Sequence, residues 1–498
     1  MVLVAVLIAS ASGAAVSDDL SALMARAESL RSHKQFPAAI ELLQQAAALS
    51  PADQRIALML AETLGWERRF VEAERVYRQI LQRHPDSREA STGLSRTLLW
   101  QGRYAEARAR FQALAPRRSS DLDAAEGAAT AAYWAGDWTS AKREFGAILQ
   151  HDPHRQFARQ SLAEIAAATR TEQSIVSDAV DDDQPFRSLR TEAAETFHSD
   201  PLTSWSVAAG GYAFQNRRLD RNWTSPFLRL SNRVSFPWQR LRIDSSLGVL
   251  RYGDGSTRPL AGVAIHRSMG AQAELVGSLE RRELVATATA QAFHPAVTSW
   301  ALGCHRDGDP RRVLAAADAG RVRYDDGNRG WFAQGYALFP LIRRNQFSVA
   351  AGGSLAARDT SESRFSVESV SSTRASDGSF AYTYLGSYTP YWTPRNLREA
   401  RAIINLSAGL PHASTFTLHT DGGIAEDGAE AFGPATGPGT FPAAISTYGF
   451  DRRFHPWRVS ARFSAPLGDA MRLEFGVERS ATAFYRARTF RAALVRRR

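Results

Sequence analysis

Trp457-Arg-Val-Ser-Ala-Arg-Phe-Ser464, followed after a short turn by Met471-Arg-Leu-Glu-Phe-Gly-Val-Glu478, places apolar or small residues at odd positions and Arg, Ser, Glu or Gly at even ones. A period of two is the pattern of a strand with one oily and one polar face. It recurs with Leu241, Ile243, Leu247 and Val249 against Arg240, Arg242, Asp244 and Ser246, and with Phe347, Val349 and Leu355 against Gln346, Ser348 and Ser354. In a soluble sandwich the polar face looks outward, whereas in a membrane barrel it looks into a lumen. Three features favour the barrel. Short turns, at Phe236 to Gln239, Arg343 to Asn345, Leu410 to Ala413 and Pro466 to Asp469, alternate with longer loops. Aromatics such as Trp205, Phe236, Trp331, Phe339 and Trp457 gather at strand ends, as in an interfacial girdle. Small residues dominate many inward positions. The expectation is an antiparallel transmembrane β-barrel of about 16 strands over residues 189–498, wide enough for a watery lumen. The Gly/Pro-rich stretch from Ala425 to Pro456 reads as a lid or a plug.

Upstream, Thr171 to Arg187 loses periodicity and holds Asp178 and the run Asp181-Asp182-Asp183 before Pro185. Residues 170–188 read as a flexible acidic linker, because the spacing lacks the Gly turn and carbonyl donors of a calcium loop.

The first third has a different period. Phe36, Phe70, Tyr104 and Trp138 stand 34 residues apart, Ala39, Ala73, Ala107 and Ala141 follow each by three, and Trp66, Trp100 and Trp134 keep the same step. The alanines are small where two helices of a unit approach, while Tyr77, Phe111 and Phe145 fill the gap between units. With Pro51, Pro85 and Pro153 closing units and Trp100-x-Gly102-x-Tyr104 and Trp134-x-Gly136-x-Trp138 at mid-unit turns, the pattern resembles tetratricopeptide repeats. It departs at Ser119, where the third unit lacks its Pro. The resemblance implies an all-α solenoid over residues 19–169, four units and a capping helix, with a curved surface for extended peptides or partner proteins.

Residues 1–15 resemble a secretory signal peptide: Val2 to Ala9 are apolar and Ser10 to Ala15 are small. No other stretch reaches the roughly 18 apolar residues of a spanning helix. Cys304 is the only cysteine, so no internal disulfide is available. From Arg190 onward the chain has 39 Arg, no Lys and 27 acidic residues. Two explanations of that basic surplus stand side by side: arginines lining the lumen for an anionic solute, and arginines at the rim meeting anionic lipid headgroups.

In order along the whole chain, the architecture resembles outer-membrane proteins in which periplasmic tetratricopeptide repeats feed a C-terminal barrel, such as the cellulose-synthase operon outer-membrane protein, related exopolysaccharide export porins and the smaller YaiO-type barrels. Local support comes from Phe197-His198-Ser199-Asp200, from Val322-Arg323-Tyr324-Asp325-Asp326-Gly327-Asn328, and from Tyr388-x-Pro390-Tyr391-Trp392-x-Pro394. The resemblance implies residence in the outer membrane of a Gram-negative bacterium, repeats in the periplasm, and a passage for polysaccharide export. Its expected partners are lipid, periplasmic or inner-membrane proteins and an anionic polysaccharide. The alternative is a plugged barrel that anchors an interaction scaffold or serves as a surface receptor.

No constellation reads as catalytic, and no cofactor or metal is expected. His198-Ser199-Asp200-Pro201 and Asp325-Asp326-Gly327-Asn328 are composed of turn-forming residues, and Pro153 separates His151 from His154. Nucleic acid is not an expected partner, since the arginines alternate along strands instead of forming one stripe. The candidate site is a set of lumen arginines, Arg240, Arg242, Arg321, Arg323, Arg401, Arg458, Arg462 and Arg472. They would grip carboxylate or phosphate groups bidentately, or else pair with inward Asp244, Glu399, Glu474 or Glu478.

Overall fold

The computed structural model describes residues 19–114, 122–183, 186–217, 220–270, 273–284, 290, 293–306, 312–374, 376, 380–388, 391–432, 444–482 and 485–498. The signal-like segment and Ser119 lie outside the described residues. The chain forms two units, Met1–Ala168 and Thr169–Arg498.

The first unit contains nine helices among the described residues: α1 (19–32), α2 (Phe36–Leu49), α3 (Gln54–Trp66), α4 (Phe70–Arg83), α5 (Arg88–Trp100), α6 (Tyr104–Leu114), α7 (Leu122–Ala135), α8 (Trp138–His151) and α9 (Gln156–Ala168). Ala39, Ala73, Ala107 and Ala141 are fully buried, as close helix approach requires. Each mid-unit aromatic meets the tryptophan of the next unit: Phe36 with Trp66 at 5.6 Å, Phe70 with Trp100 at 5.9 Å, Tyr104 with Trp134 at 6.5 Å between centroids. Asp53, Ser87 and Asp137 accept backbone N–H groups at the starts of α3, α5 and α8. The turn inside each unit needs a left-handed residue, and Lys34, Arg68, Gly102 and Gly136, again 34 apart, supply it. Gly93 is small for another reason: a Cβ there would stand 2.3 Å from the Tyr77 ring.

The second unit is a closed antiparallel barrel. Its strands are β1 (Glu172–Asp182), β2 (Phe186–Asp200), β3 (Thr203–Asn216), β4 (Arg221–Phe236), β5 (Leu241–Arg251), β6 (Thr257–Met269), β7 (Ala273–Glu283), β8 (Ala296–Arg306), β9 (Leu314–Tyr324), β10 (Arg329–Arg344), β11 (Phe347–Thr360), β12 (Phe365–Arg374), β13 (Phe380–Tyr388), β14 (Arg395–Leu410), β15 (Ser414–Phe432), β16 (Ala444–Phe454), β17 (Trp457–Pro466), β18 (Met471–Ala481) and β19 (Arg486–Arg497). Sixteen of them form the ring: β1 to β11 pair in sequence, β11 pairs with β14, β14 with β15, β15 with β17, then β18 and β19, and β19 closes on β1. The hairpin β12–β13 and the strand β16 stand outside the ring. β15 outgrows it, so that Thr415–Gly422 pair with β17 while Ala425–Phe432 pair with β16. The break between β16 and β17 falls at Pro456, which cannot donate to a ladder.

Two sequence expectations are corrected. Residues 172–182 are not a linker but the closing strand β1, with Glu172 opposite Arg497 and Asp182 opposite Ala487. The acidic run ends β1 and leads out of it: Asp181 pairs with Arg187 at 2.9 Å, Asp182 accepts the Phe186 N–H, and Asp183 accepts that of Arg486. Composition hid the strand because one of its two ladder partners lies about three hundred residues away and its inward face mixes Val176 and Val180 with Asp178. The stretch from Ala425 to Pro456 is likewise largely strand, in β15 and β16, with residues 433–443 outside the described set.

Candidate functional site in the barrel lumen

Register decides where each side chain points. Exposed Leu228, Leu247, Leu279, Leu302, Leu355, Ile404, Phe475 and Phe490 fix the outer face of their strands, and residues directly opposite them across a ladder share it. The other face holds the charge. Near the short-turn end, Asp244 accepts from Arg233 at 2.7 Å and lies 3.3 Å from His266, which reaches Glu274 at 3.0 Å, while Arg242 bridges Asp244 and Glu274. At mid-barrel, Asp178 meets Arg190 at 3.5 Å and Arg491 at 3.3 Å, and Glu192 holds both Arg190 and Arg229. Across β14, β15 and β17, the Asp421 carboxylate, 1% exposed, accepts from Arg401 at 2.6 Å, His419 at 2.7 Å and Arg458 at 2.8 Å, with Glu399 on the far side of Arg401. His305 and Asp318 form a further pair at 2.7 Å.

Between these clusters the wall is small and hydroxylated. A cavity of about 660 Å³ is lined by Ser348, Ser407, Thr417, Ser460, Arg462 and Arg491 among others, and a second of about 470 Å³ by Ser204, Ser206, Ser231, Ser246 and Ser278. The long-loop end is knotted. Asp326 accepts from Arg364 at 2.9 Å and from the Tyr391 hydroxyl at 2.5 Å, and Tyr391 stacks on Tyr324 at 4.1 Å, tying the β9–β10 turn to the segment between β11 and β14. Burial and the Asp326 carboxylate push the Tyr391 hydroxyl well above its ordinary range. Buried Asp427 binds Arg452 at 2.6 Å and Tyr388 at 3.1 Å, and the Arg452 guanidinium lies over Phe365. Between β7 and β8, buried His294 stacks on Tyr252 at 3.9 Å above Phe227 and Leu250.

A tetratricopeptide-repeat family model matches residues 67–132. The helical array is a tetratricopeptide-repeat domain. Among solved structures the chain is similar to a bacterial polysaccharide outer-membrane secretin, at 10% identity and TM-score 0.47, over 66% of this chain and 99% of that one. It is also similar to CdiB from Acinetobacter baumannii, at 11% and 0.38, over 66% and 60%. The helices are similar to a tetratricopeptide repeat protein from Parabacteroides merdae, at 16% and 0.28, over 29% and 57%. A search among curated proteins finds no match. Joined to the tetratricopeptide-repeat domain, then, is a sixteen-stranded antiparallel barrel with an oily exterior and a charged interior.

The candidate arginines separate into three groups. Arg242, Arg401, Arg458, Arg462 and Arg472 face the lumen; the first three hold carboxylates, Arg472 donates to Ser464 at 2.9 Å, and Arg462 has no ion pair among the described residues. Of the acids expected as partners, Asp244 takes Arg242 and Glu399 takes Arg401, while Arg458 is held by Asp421; no ion pair to Glu474 or Glu478 is present among the described residues. Arg240 sits in the β4–β5 turn with φ 53°, off any strand. Arg321 and Arg323 face outward, because Arg321 lies directly between Trp300 and Trp331, both on the outer face. Missed by sequence were Arg190, Glu192, Arg229 and Arg491. The alternation of Leu189, Thr191 and Ala193 against Arg190 and Glu192 was a usable signal, but their partner Asp178 lay in the supposed linker. His198-Ser199-Asp200 is the end of β2 and its turn, where Asp200 caps the Leu202 N–H at 2.8 Å. The expected girdle also divides: Trp205, Phe236, Trp331, Phe339 and Trp457 point out, whereas Tyr212, Phe214 and Tyr336 point in.

Proposed function

We propose that this chain resides in a bacterial outer membrane as a passage for an exported polysaccharide, with its repeats in the periplasm recruiting protein partners. The observation that carries the reading is the closed sixteen-stranded ring, whose lumen, beside small apolar clusters such as Leu338, Ala350 and Ile403, is lined by Ser, Thr and paired charges. A barrel of this size leaves room for water, and hydroxyl and guanidinium groups exchange hydrogen bonds with sugar hydroxyls as readily as with water. Three residues separate the end of α9 from the start of β1, and β1 starts at the short-turn end, which in bacterial barrels faces the periplasm. We assign no catalytic step and no cofactor.

A second reading, a closed anchor or receptor, draws on the knots at the long-loop end around Asp326, Asp427 and His294. Planar-bilayer conductance of the refolded full-length chain separates the two. A stable pore with weak ion selectivity is expected for a passage, since most lumen arginines are matched by carboxylates. Asp427→Asn, which loosens the Arg452 knot, should raise conductance. A heat-modifiable barrel that never conducts, in either form, is the result that would replace passage by anchor.

A further inference from the structure

Three outward arginines at the long-loop end, Arg321, Arg323 and Arg329, lack the carboxylate partners that hold Arg242, Arg401 and Arg458 in the lumen. On the outer face of β8, β9 and β10, Arg321 is flanked directly by Trp300 and Trp331, 44% and 45% exposed. About 7 Å nearer the long-loop end, two residues along the same strand face, Arg323 stands directly opposite Arg329. Like charges facing across a ladder destabilise the pair, and none of the three side chains has a hydrogen-bond or ion-pair partner among the described residues. The nearby acids are already engaged: Asp325 with Arg281 at 2.8 Å, Asp359 with Arg395 at 3.4 Å, and Asp326 with Arg364. Indole side chains seek the headgroup level of a bilayer, so the guanidinium groups just beyond them stand where lipid phosphates lie.

We propose that Arg321, Arg323 and Arg329 form a binding site for the phosphate headgroup of an anionic lipid, on the outer wall of the barrel at its long-loop end. A phosphate between Arg323 and Arg329 turns their repulsion into two charge-assisted forks, while the Trp300 and Trp331 faces border the acyl-glycerol region below. The same chemistry explains part of the basic surplus without an anionic solute in the lumen. The inference rests on the membrane reading above.

The test is native mass spectrometry of the full-length refolded chain in micelles containing equal phosphatidylglycerol and phosphatidylcholine. Insertion into phosphatidylcholine vesicles, read as a heat-modifiable band, checks the membrane reading separately. A several-fold excess of retained phosphatidylglycerol is expected. It should fall to near parity in Arg323→Gln/Arg329→Gln, persist in Arg344→Gln at the other end of the barrel, and survive excess inorganic phosphate. Insertion without phosphatidylglycerol preference, or a double variant that keeps the preference, overturns the site. Displacement of the lipid by inorganic phosphate shows a site for free anions and overturns the lipid assignment. If the double variant fails to fold, Arg323→Lys/Arg329→Lys keeps the charge but loses the fork, and an undiminished preference there also sinks the proposal.

Discussion

The repeats and the barrel solve the same problem, burying backbone polar groups, over different sequence distances. In the repeats every hydrogen bond of a helix closes within four residues, and contacts such as Phe36 with Trp66 span one unit. In the barrel the final ladder joins Glu172 to Arg497, and the facing edges of β1 and β19 stay unsatisfied in lipid until that ladder forms. Damage to the repeats should therefore stay local, whereas damage to the closure should be all or none.

The largest expected effect follows from this difference. A chain beginning at Leu189 lacks β1 and leaves β19 and β2 with unpaired edges, so it should give no heat-modifiable barrel band at all, while removal of residues 19–168 should leave that band intact. Equal loss in both truncations would erase the distinction between the two regions. Next in size is Asp421→Ala, which strips the carboxylate from Arg401, His419 and Arg458. Breaking a buried ion network typically costs about 3–5 kcal/mol, to be read in urea unfolding from lipid vesicles. A cost below about 1 kcal/mol would show that lumen water replaces the carboxylate.

Within the repeats, Gly93→Ala drives a methyl into the Tyr77 ring and should cost about 1–3 kcal/mol, confined to the helical unfolding transition and silent in the barrel band. Smaller still is an acid response at Glu74. Its burial favours the neutral acid, but hydrogen bonds from Gln101 and Arg103 and the nearby charge of Arg78 outweigh that and hold its carboxyl below the usual range. A depressed folded pKa means the stabilisation is complete above the unfolded value near 4.3 and fades as pH falls through the folded one. Glu74→Gln should lower Tm at neutral pH and flatten its decline on acidification below about pH 4. Unchanged steepness would assign the acid limb to other carboxylates. Arg68→Gly completes the glycine series already present at positions 102 and 136 and should stabilise the repeats by about 0.5–1 kcal/mol by relieving the left-handed backbone. A loss of stability instead would show that the Arg68 side chain contributes more than its backbone strain.

The legibility of each feature tracks the same distances. The packing positions Ala39, Ala73, Ala107 and Ala141 could be read because the 34-residue period repeats one local solution four times. The two-faced strands were readable too, since pleat geometry alone assigns Arg458 and Arg462 to the side opposite Trp457 and Val459. Alternation cannot say which of two faces is inner, however, where both carry mixed residues. In β9, Ala315, Ala317 and Ala319 precede Arg321 and Arg323 on one face, and Ala316 and Asp318 lie on the other. Only the ladder contacts with Trp300 and Trp331 place the two arginines outside.

By itself the sequence determined that a helical repeat array precedes a long series of amphipathic strands, because periods of 34 and of two are properties of neighbouring residues. The tertiary structure decided that the acidic stretch before Arg187 is the strand that closes the ring. It also decided that Asp178, Arg190 and Arg491 meet in one cluster, and that Arg321, Arg323 and Arg329 belong to the outer wall. The physical reason is that closure, register and facing are set by hydrogen-bonded partners hundreds of residues away, information that no local window contains.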